Sequence, residues 1–285
     1  MKRVGYLKEQ IVSLDNLYDA YHKACKGKQR KLEVLDFAAN FDRMLIDATF
    51  ATRKGKGVYA ALTKAKEAVS HHPYTVKLDF RKYYDSIDHG ILKQKLRCLF
   101  KDAWLLNLFD RIIDSYEKEP GKGLPIGNLT SQYFANHYLS VLDHKAKEQW
   151  GVPVYIRYMD DILMAGADKE CISNAVKEMT AFSHNELKLT LKPPIYRKSE
   201  DGQTFLGYKV LPYRIQLSGR SKKRFRSKFL EYERLFNDGT WTESIYQEHI
   251  LPLLSFVQHA ESKAFRKACL QIETKGDNQR VAPTA

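Results

Sequence analysis

The 285-residue sequence predicts an α+β fold, and two observations carry that expectation. Apolar residues recur at helical spacing in several long stretches, with short β-prone runs between them. Those elements come in the order strand, helix, helix, hairpin, helix, hairpin, which argues for a sheet with helices on one face.

Each element has a local reason. Leu7, Ile11, Leu14, Leu17, Tyr18 and Tyr21 give residues 6 to 26 a helical period, and a second helix is expected from about Leu32 to Phe41. "VYAALTKAKEAVSHH" is helical again and is stopped by Pro73. "YTVKLDF" alternates as a strand, and helical text follows from His89 to about Tyr116. "EPGKGLPIGN" reads as a loop and "LTSQYFANHYLSVLDHKAKEQ" as one long amphipathic helix. "PVYIRYMDDILMAG" holds two apolar runs around Met159-Asp160-Asp161, a hairpin pattern without the usual Asn-Gly or Asp-Gly turn. "ECISNAVKEMTAFSHNELK" is helical, "QTFLGYKVL" and "RIQLS" are strands, and the tail from Lys222 to about Ile272 is mostly helical.

Composition narrows the class of partner. Forty-seven Lys and Arg against 34 Asp and Glu leave a net charge of +13, which favours a polyanion such as nucleic acid. The surplus clusters in "KACKGKQRK", "RKGKG" and "SGRSKKRFRSK", the last interleaving Phe225 with basic residues along a helix. No run approaches the roughly 20 apolar residues of a membrane span, and the N-terminus lacks the apolar core of a signal peptide. Cys25, Cys98, Cys171 and Cys269 lie far apart and fit reduced thiols in a cytoplasmic protein.

The informative residues are acidic. Asp79 ends a β-type run, while Asp160 and Asp161 sit at the expected hairpin turn. On neighbouring strands the three would converge, and mutually repelling carboxylates need cations. Oxygen ligands select hard ions, so Mg²⁺ is expected, and a pair of ions roughly 3.5–4 Å apart suits phosphoryl transfer. Spacing alone also allows a cap at Asp79 and ordinary turn residues at Asp160-Asp161.

Five segments in order resemble the reverse transcriptases. "YMDD" between apolar runs resembles their catalytic box, and "LDFRKYYDSIDHGIL" their first metal motif. "GLPIGNLTSQYFANHYLSVLD" resembles the template-handling motif, "TFLGYKV" the primer-grip hairpin, and "ATRKGKGVYAAL" a fingers segment. Within "IGNLTSQ", Ile126-Gly127 and Ser131-Gln132 stand where intron and retron relatives read Gln-Gly and Ser-Pro. That pattern resembles diversity-generating retroelement enzymes, bacterial or phage-encoded. The resemblance implies error-prone copying of a template RNA into cDNA, with mistakes opposite adenine, from dNTPs and a primer, beside a small basic helical accessory protein.

The same resemblance implies site residues. Asp79, Asp160 and Asp161 would bind two Mg²⁺ ions, with Mn²⁺ as a substitute and the Phe80 carbonyl as a further ligand. Tyr84 would pack under the incoming sugar and exclude a 2′-hydroxyl, with Lys82 and Tyr83 beside it also binding the nucleotide. Gly127 would let the backbone approach the nascent base pair, and Ile126 replaces a polar check on the incoming nucleotide. Lys192 would serve as general acid for pyrophosphate. Gln132 would contact template, and Phe205, Leu206 and Gly207 would grip the primer. His71-His72 read as a helix end, Asp85 and Asp88 as cap or turn residues, and Trp104, Trp150 and Trp241 as packing.

The implied architecture is a right-hand polymerase. Residues 1–74 would form N-terminal helices and partial fingers, 75–212 the palm, and 213–285 a helical thumb and tail. One departure stands out: the first helices pass almost directly to "RKGKG", where relatives carry a longer fingers stretch. Either residues are missing near Asn40 to Met44 or the fingers are shortened, with Arg53, Lys54 and Lys56 the nearest basic substitutes. Two rivals stay open: an intron-type or phage-defence reverse transcriptase, and a non-catalytic RNA-binding scaffold.

Overall fold

The computed structural model describes residues 45–53 and 55–269, so the two expected N-terminal helices and Cys25 lie outside the described residues. Helix α1 (Val58–His71) ends where His72 turns extended, the conformation that a following proline imposes. Strand β1 (Tyr74–Leu78) follows, then a single turn, α2 (Tyr83–Ser86). The helical text after His89 divides into α3 (His89–Leu99) and α4 (Ala103–Asp114). The division has a local cause. Asp102 accepts a hydrogen bond from the Leu105 N–H at 3.1 Å and starts a new helix, as Asp88 does for α3 through Ile91 at 2.9 Å.

The next stretch also divides, into α5 (Leu129–Tyr138) and α6 (Ser140–Glu148), with Leu139 between them. Strands β2 (Val154–Tyr158) and β3 (Asp161–Gly166) form the expected hairpin. Helix α7 (Lys169–Asn185) is capped by Asp168, and β4 (Ile195–Lys198) is an exposed strand that the sequence pattern did not announce. "QTFLGYKVL" is itself a hairpin, β5 (Gln203–Phe205) and β6 (Tyr208–Val210), joined by β7 (Ile215–Leu217). Helices α8 (Gly219–Asn237) and α9 (Glu243–Gln258) follow, capped by Ser218 and Thr242.

Strands β2-β3-β1-β4 make one antiparallel sheet and β5-β6-β7 a second. Alternation along the strands feeds two cores. Val76, Leu78, Ile162 and Met164 pack with α3 to α7, and Trp104 and Trp150 cover the edge of that core. Ile156, Leu163 and Ala165 face the other way, onto α1, the second sheet, α8 and α9. The expectation of helices on one face is therefore corrected: apolar residues on both faces of β3 leave neither face free for water.

Candidate active site

The strand register builds the site. Strand β1 pairs antiparallel with β3 through Leu78↔Ile162, so the next residue, Asp79, falls beside Asp161. Tyr158 pairs with Asp161 across the β2–β3 hairpin, which makes Met159-Asp160 a two-residue turn. Asn-Gly usually supplies the positive φ such turns need, but here Met159 takes it, at φ 53°. Asp79, Asp160 and Asp161 thus share one end of the sheet.

Two lysines answer them. Lys192 Nζ lies 2.9 Å from both oxygens of Asp79, and its N–H donates to the Asp79 carbonyl at 2.8 Å. Lys77 projects from the same face of β1 as Asp79, and its Nζ is 2.8 Å from Asp161 Oδ1. Lys77 and Asp161 thus form a close ion pair, and the Asp161 Oδ1 atom is buried. Burial pushes the Asp160 carboxyl up to about 6; its own backbone N–H opposes this, the Asp161 and Asp79 charges add to it, and Lys192 also opposes it. Burial also raises Asp161, against the pull of Lys77.

Among the described residues, no group of three His, Cys, Asp or Glu side chains stands as a ready metal cage. The donor set nevertheless fits Mg²⁺, which takes one or two carboxylates and draws its other ligands from water and phosphate. Asp161 Oδ1, buried against the Lys77 ammonium, is a carboxylate oxygen of that kind. The Phe80↔Leu191 pairing uses the Asp79 carbonyl and the Arg81 N–H, which leaves the Phe80 carbonyl out of those bonds.

Tyr84 stands beside the turn, its hydroxyl 3.9 Å from Met159 Sδ. Burial, then the Asp160 charge, pushes that hydroxyl up to about 12, so it stays protonated. Lys82 is exposed, in a left-handed conformation at φ 42°. Tyr83 packs inward: its ring is buried in the core and its hydroxyl donates to the Ala135 carbonyl.

A family model described as reverse transcriptase (RNA-dependent DNA polymerase) matches residues 18–210. The chain belongs to that family. Its fold, helices with antiparallel sheets, is the reverse-transcriptase polymerase fold. Solved structures it resembles include apo telomerase from Candida tropicalis truncated from its C-terminal domain, at 17% identity and TM-score 0.41, covering 74% of this chain and 44% of that one. Telomeric-RNA-bound telomerase from Candida albicans is similar at 14% identity and TM-score 0.41, covering 93% and 47%. The Candida tropicalis complex gives 13% identity and TM-score 0.43, covering 93% and 46%. The chain spans less than half the length of these structures. No curated protein is similar enough to count as a match.

The remaining expected residues fall in three places. Ile126 is 80% exposed beside Gly127, whose φ is 97°, and Gln132 is half-buried on the first turn of α5. Arg53 donates to the carbonyls of Ile46 and Thr49 at 2.7 and 3.1 Å, so its guanidinium braces its own loop. Leu206 and Gly207, at φ 50° and 87°, form the β5–β6 turn, while Phe205 is buried beneath it. The Gly207 carbonyl accepts hydrogen bonds from the Ser221 hydroxyl and the Ser218 N–H, which fixes the turn to the start of α8. There Arg220, Lys222, Lys223, Arg224 and Arg226 are exposed, and Leu206 and Gly207 line a cleft of about 540 Å³ with Arg224 and Lys228.

Sequence reasoning missed the layer under the turn. Arg157 is buried, and so is its partner Asp143 on α6, with Nη2 and Oδ2 2.5 Å apart. Tyr155 and Thr49 hydroxyls also donate to Asp143, at 2.7 and 3.1 Å. An arginine inside an apolar strand run was the available signal, since such a charge is buried only with a partner. His71 and His72 end α1, Asp88 is a cap, and Trp241 packs against Tyr232 and His249, as the sequence implied. Cys98, Cys171 and Cys269 are free. Among the described residues, no helix is long and apolar enough to cross a membrane.

Proposed function

We propose that this chain is an RNA-directed DNA polymerase of a diversity-generating retroelement, copying a template RNA into cDNA with errors opposite adenine. The observation that supports the polymerase reading is the register that sets Asp79 beside Asp161 with Asp160 in the adjoining turn. The subtype rests on Ile126-Gly127 and Ser131-Gln132 as they stand in the sequence.

In this reading Asp79, Asp160 and Asp161, with the Phe80 carbonyl, would hold two Mg²⁺ ions. When bound, such ions acidify a primer 3′-hydroxyl and neutralise charge on the departing pyrophosphate. The protein does the rest. Tyr84, beside the Met159-Asp160 turn, would pack under the incoming sugar and exclude a 2′-hydroxyl. Lys192, which sits 2.9 Å from both Asp79 oxygens, would carry a proton toward the leaving pyrophosphate. Gln132 contacts template, and the Leu206-Gly207 turn with the basic start of α8 holds the primer strand. The same reading divides the chain into partial fingers (1–74), palm (75–212) and thumb (213–285), with the accessory protein on the basic tail or N-terminal helix.

Primer extension on an RNA template with Mg²⁺ and dNTPs tests it, with and without the accessory protein and with Asp160→Asn as control. Extension lost in Asp160→Asn, with errors concentrated at template adenines, is the expected result. Faithful extension would keep the polymerase and reject the retroelement subtype. RNA binding without extension would leave a scaffold.

A further inference from the structure

The Met159-Asp160 turn is held from beneath by one side chain. Arg157 is buried, and all five of its N–H donors are used. Nε and Nη2 donate to the two Asp143 oxygens at 2.6 and 2.5 Å, and Nη2 also reaches the Asn136 carbonyl at 3.1 Å. Nη1 divides its two hydrogens between Asn136 Oδ1 at 2.8 Å and the Met159 carbonyl at 3.0 Å. That last bond matters most, because Met159 is the residue held at φ 53° and its carbonyl belongs to the peptide that leads into Asp160. Non-glycine residues keep such a conformation only where the surroundings impose it.

The guanidinium has no freedom to drift. Its own backbone is clamped: the Arg157 N–H donates to Ala48 and the Arg157 carbonyl accepts from Phe50, both at 2.9 Å. Asn136 Nδ2 in turn donates to the Ala51 carbonyl at 2.9 Å. Asn136 lies on α5, the helix that begins with Ser131 and Gln132 in its first turn.

We propose that Arg157 is a positioning residue for the polymerase reaction: by fixing the Met159 carbonyl it sets where Asp160 points, and through Asn136 it ties that aim to the helix expected to contact template. The inference rests on the metal-dependent polymerase reading above. Arg157 reaches no carboxylate of the site in this geometry, so it acts on the orientation of Asp160 rather than on its charge.

Two variants test it. Arg157→Lys keeps the charge opposite Asp143, but its single ammonium cannot span Asp143, Asn136 and Met159 together. The double variant Arg157→Met/Asp143→Leu removes both charges, a replacement that buried ion pairs usually tolerate without loss of folding. Thermal melting of the full chain reports folding, and EPR titration with Mn²⁺ alone reports the site, with Asp160→Asn defining its loss. The expected result is a cooperative melt with an Asp160-dependent Mn²⁺ midpoint raised by about tenfold or more, as for other residues that orient metal ligands. Primer extension at saturating Mg²⁺ should then show a reduced kcat with a smaller change in KM for dNTP.

A parental Mn²⁺ midpoint in either folded variant would overturn the proposal. Unfolding of both variants would also overturn it, by making Arg157 a structural residue only. Parental protein without Asp160-dependent Mn²⁺ binding would remove the metal reading and this inference with it. If the parental protein binds Mn²⁺ but extends no primer, the polymerase reading alone fails, and the midpoints still decide the role of Arg157.

Discussion

Replacing Asp143 by Asn changes one atom and should test how much of the fold depends on a single buried charge. Each Asp143 oxygen accepts two hydrogen bonds: Oδ1 from Arg157 Nε and the Tyr155 hydroxyl, Oδ2 from Arg157 Nη2 and the Thr49 hydroxyl. Whichever oxygen becomes an amide turns a donor toward one arginine N–H and one hydroxyl. The guanidinium then stays buried without a counter-charge, and breaking a buried pair from one side costs about 3–5 kcal/mol. For a domain of this size each kcal/mol moves the melting temperature by about 2–4 °C, so Asp143→Asn should melt roughly 10 °C lower. Asp110→Asn is the matched control, because its Arg97 partner is largely exposed and such pairs contribute about 1 kcal/mol or less. Differential scanning calorimetry of both variants decides the matter. If Asp143→Asn lowers stability no more than Asp110→Asn, the buried pair does not hold the fold together and the reasoning fails.

His137 supplies a pH dependence. Burial first, then the charges of Lys95 and Arg157, drive its imidazole down from 6.5 to about 3, so between those values the unfolded chain binds a proton that the folded chain refuses. Stability from this group is therefore lost as pH falls through that window, and His137→Gln should show a shallower loss in urea titrations at pH 7 and 5; parallel curves would count against it. Gly207→Ala should lose about 1–2 kcal/mol from its positive φ, and more from a Cβ only 3.2 Å from Phe256 and from the Ser221 hydroxyl. Gly151→Ala, with positive φ but open space, isolates the strain, and equal losses in denaturant midpoints would deny the contact. Tyr84→Val should lower the preference for dNTP over rNTP, read as the ratio of kcat/KM, by about tenfold or more; an unchanged ratio would take the ring away from the sugar. Ile126→Gln should reduce misincorporation at template adenines in sequenced cDNA, and an unaltered error spectrum would dismiss the missing polar check.

The sequence by itself determined most of the elements and the order in which Asp79, Asp160 and Asp161 enter them. Periodicity, proline and local capping act within a few residues, so α1, β1, the β2–β3 hairpin and the Asp88 cap were legible in order. Breaks at Asp102 and Leu139 escaped because the apolar period runs across them: the Asp102 cap lies inside that period, and at Leu139 no side chain caps the new helix. Strand β4 escaped because its exposed residues carry no alternation, and only the open edge of β1 makes them a strand. Tyr83 and Tyr84 are neighbours of the same residue type, and nothing local says that one is buried against Ala135 while the other stands beside Asp160. Tertiary structure alone decided the pairing of Lys192 with Asp79 across 113 residues, and the seating of Arg157 on Asp143, Asn136 and the Met159 carbonyl. The physical reason is that a buried charge imposes a partner without specifying which one. That choice belongs to the strand register and helix packing that bring distant donors within about 3 Å.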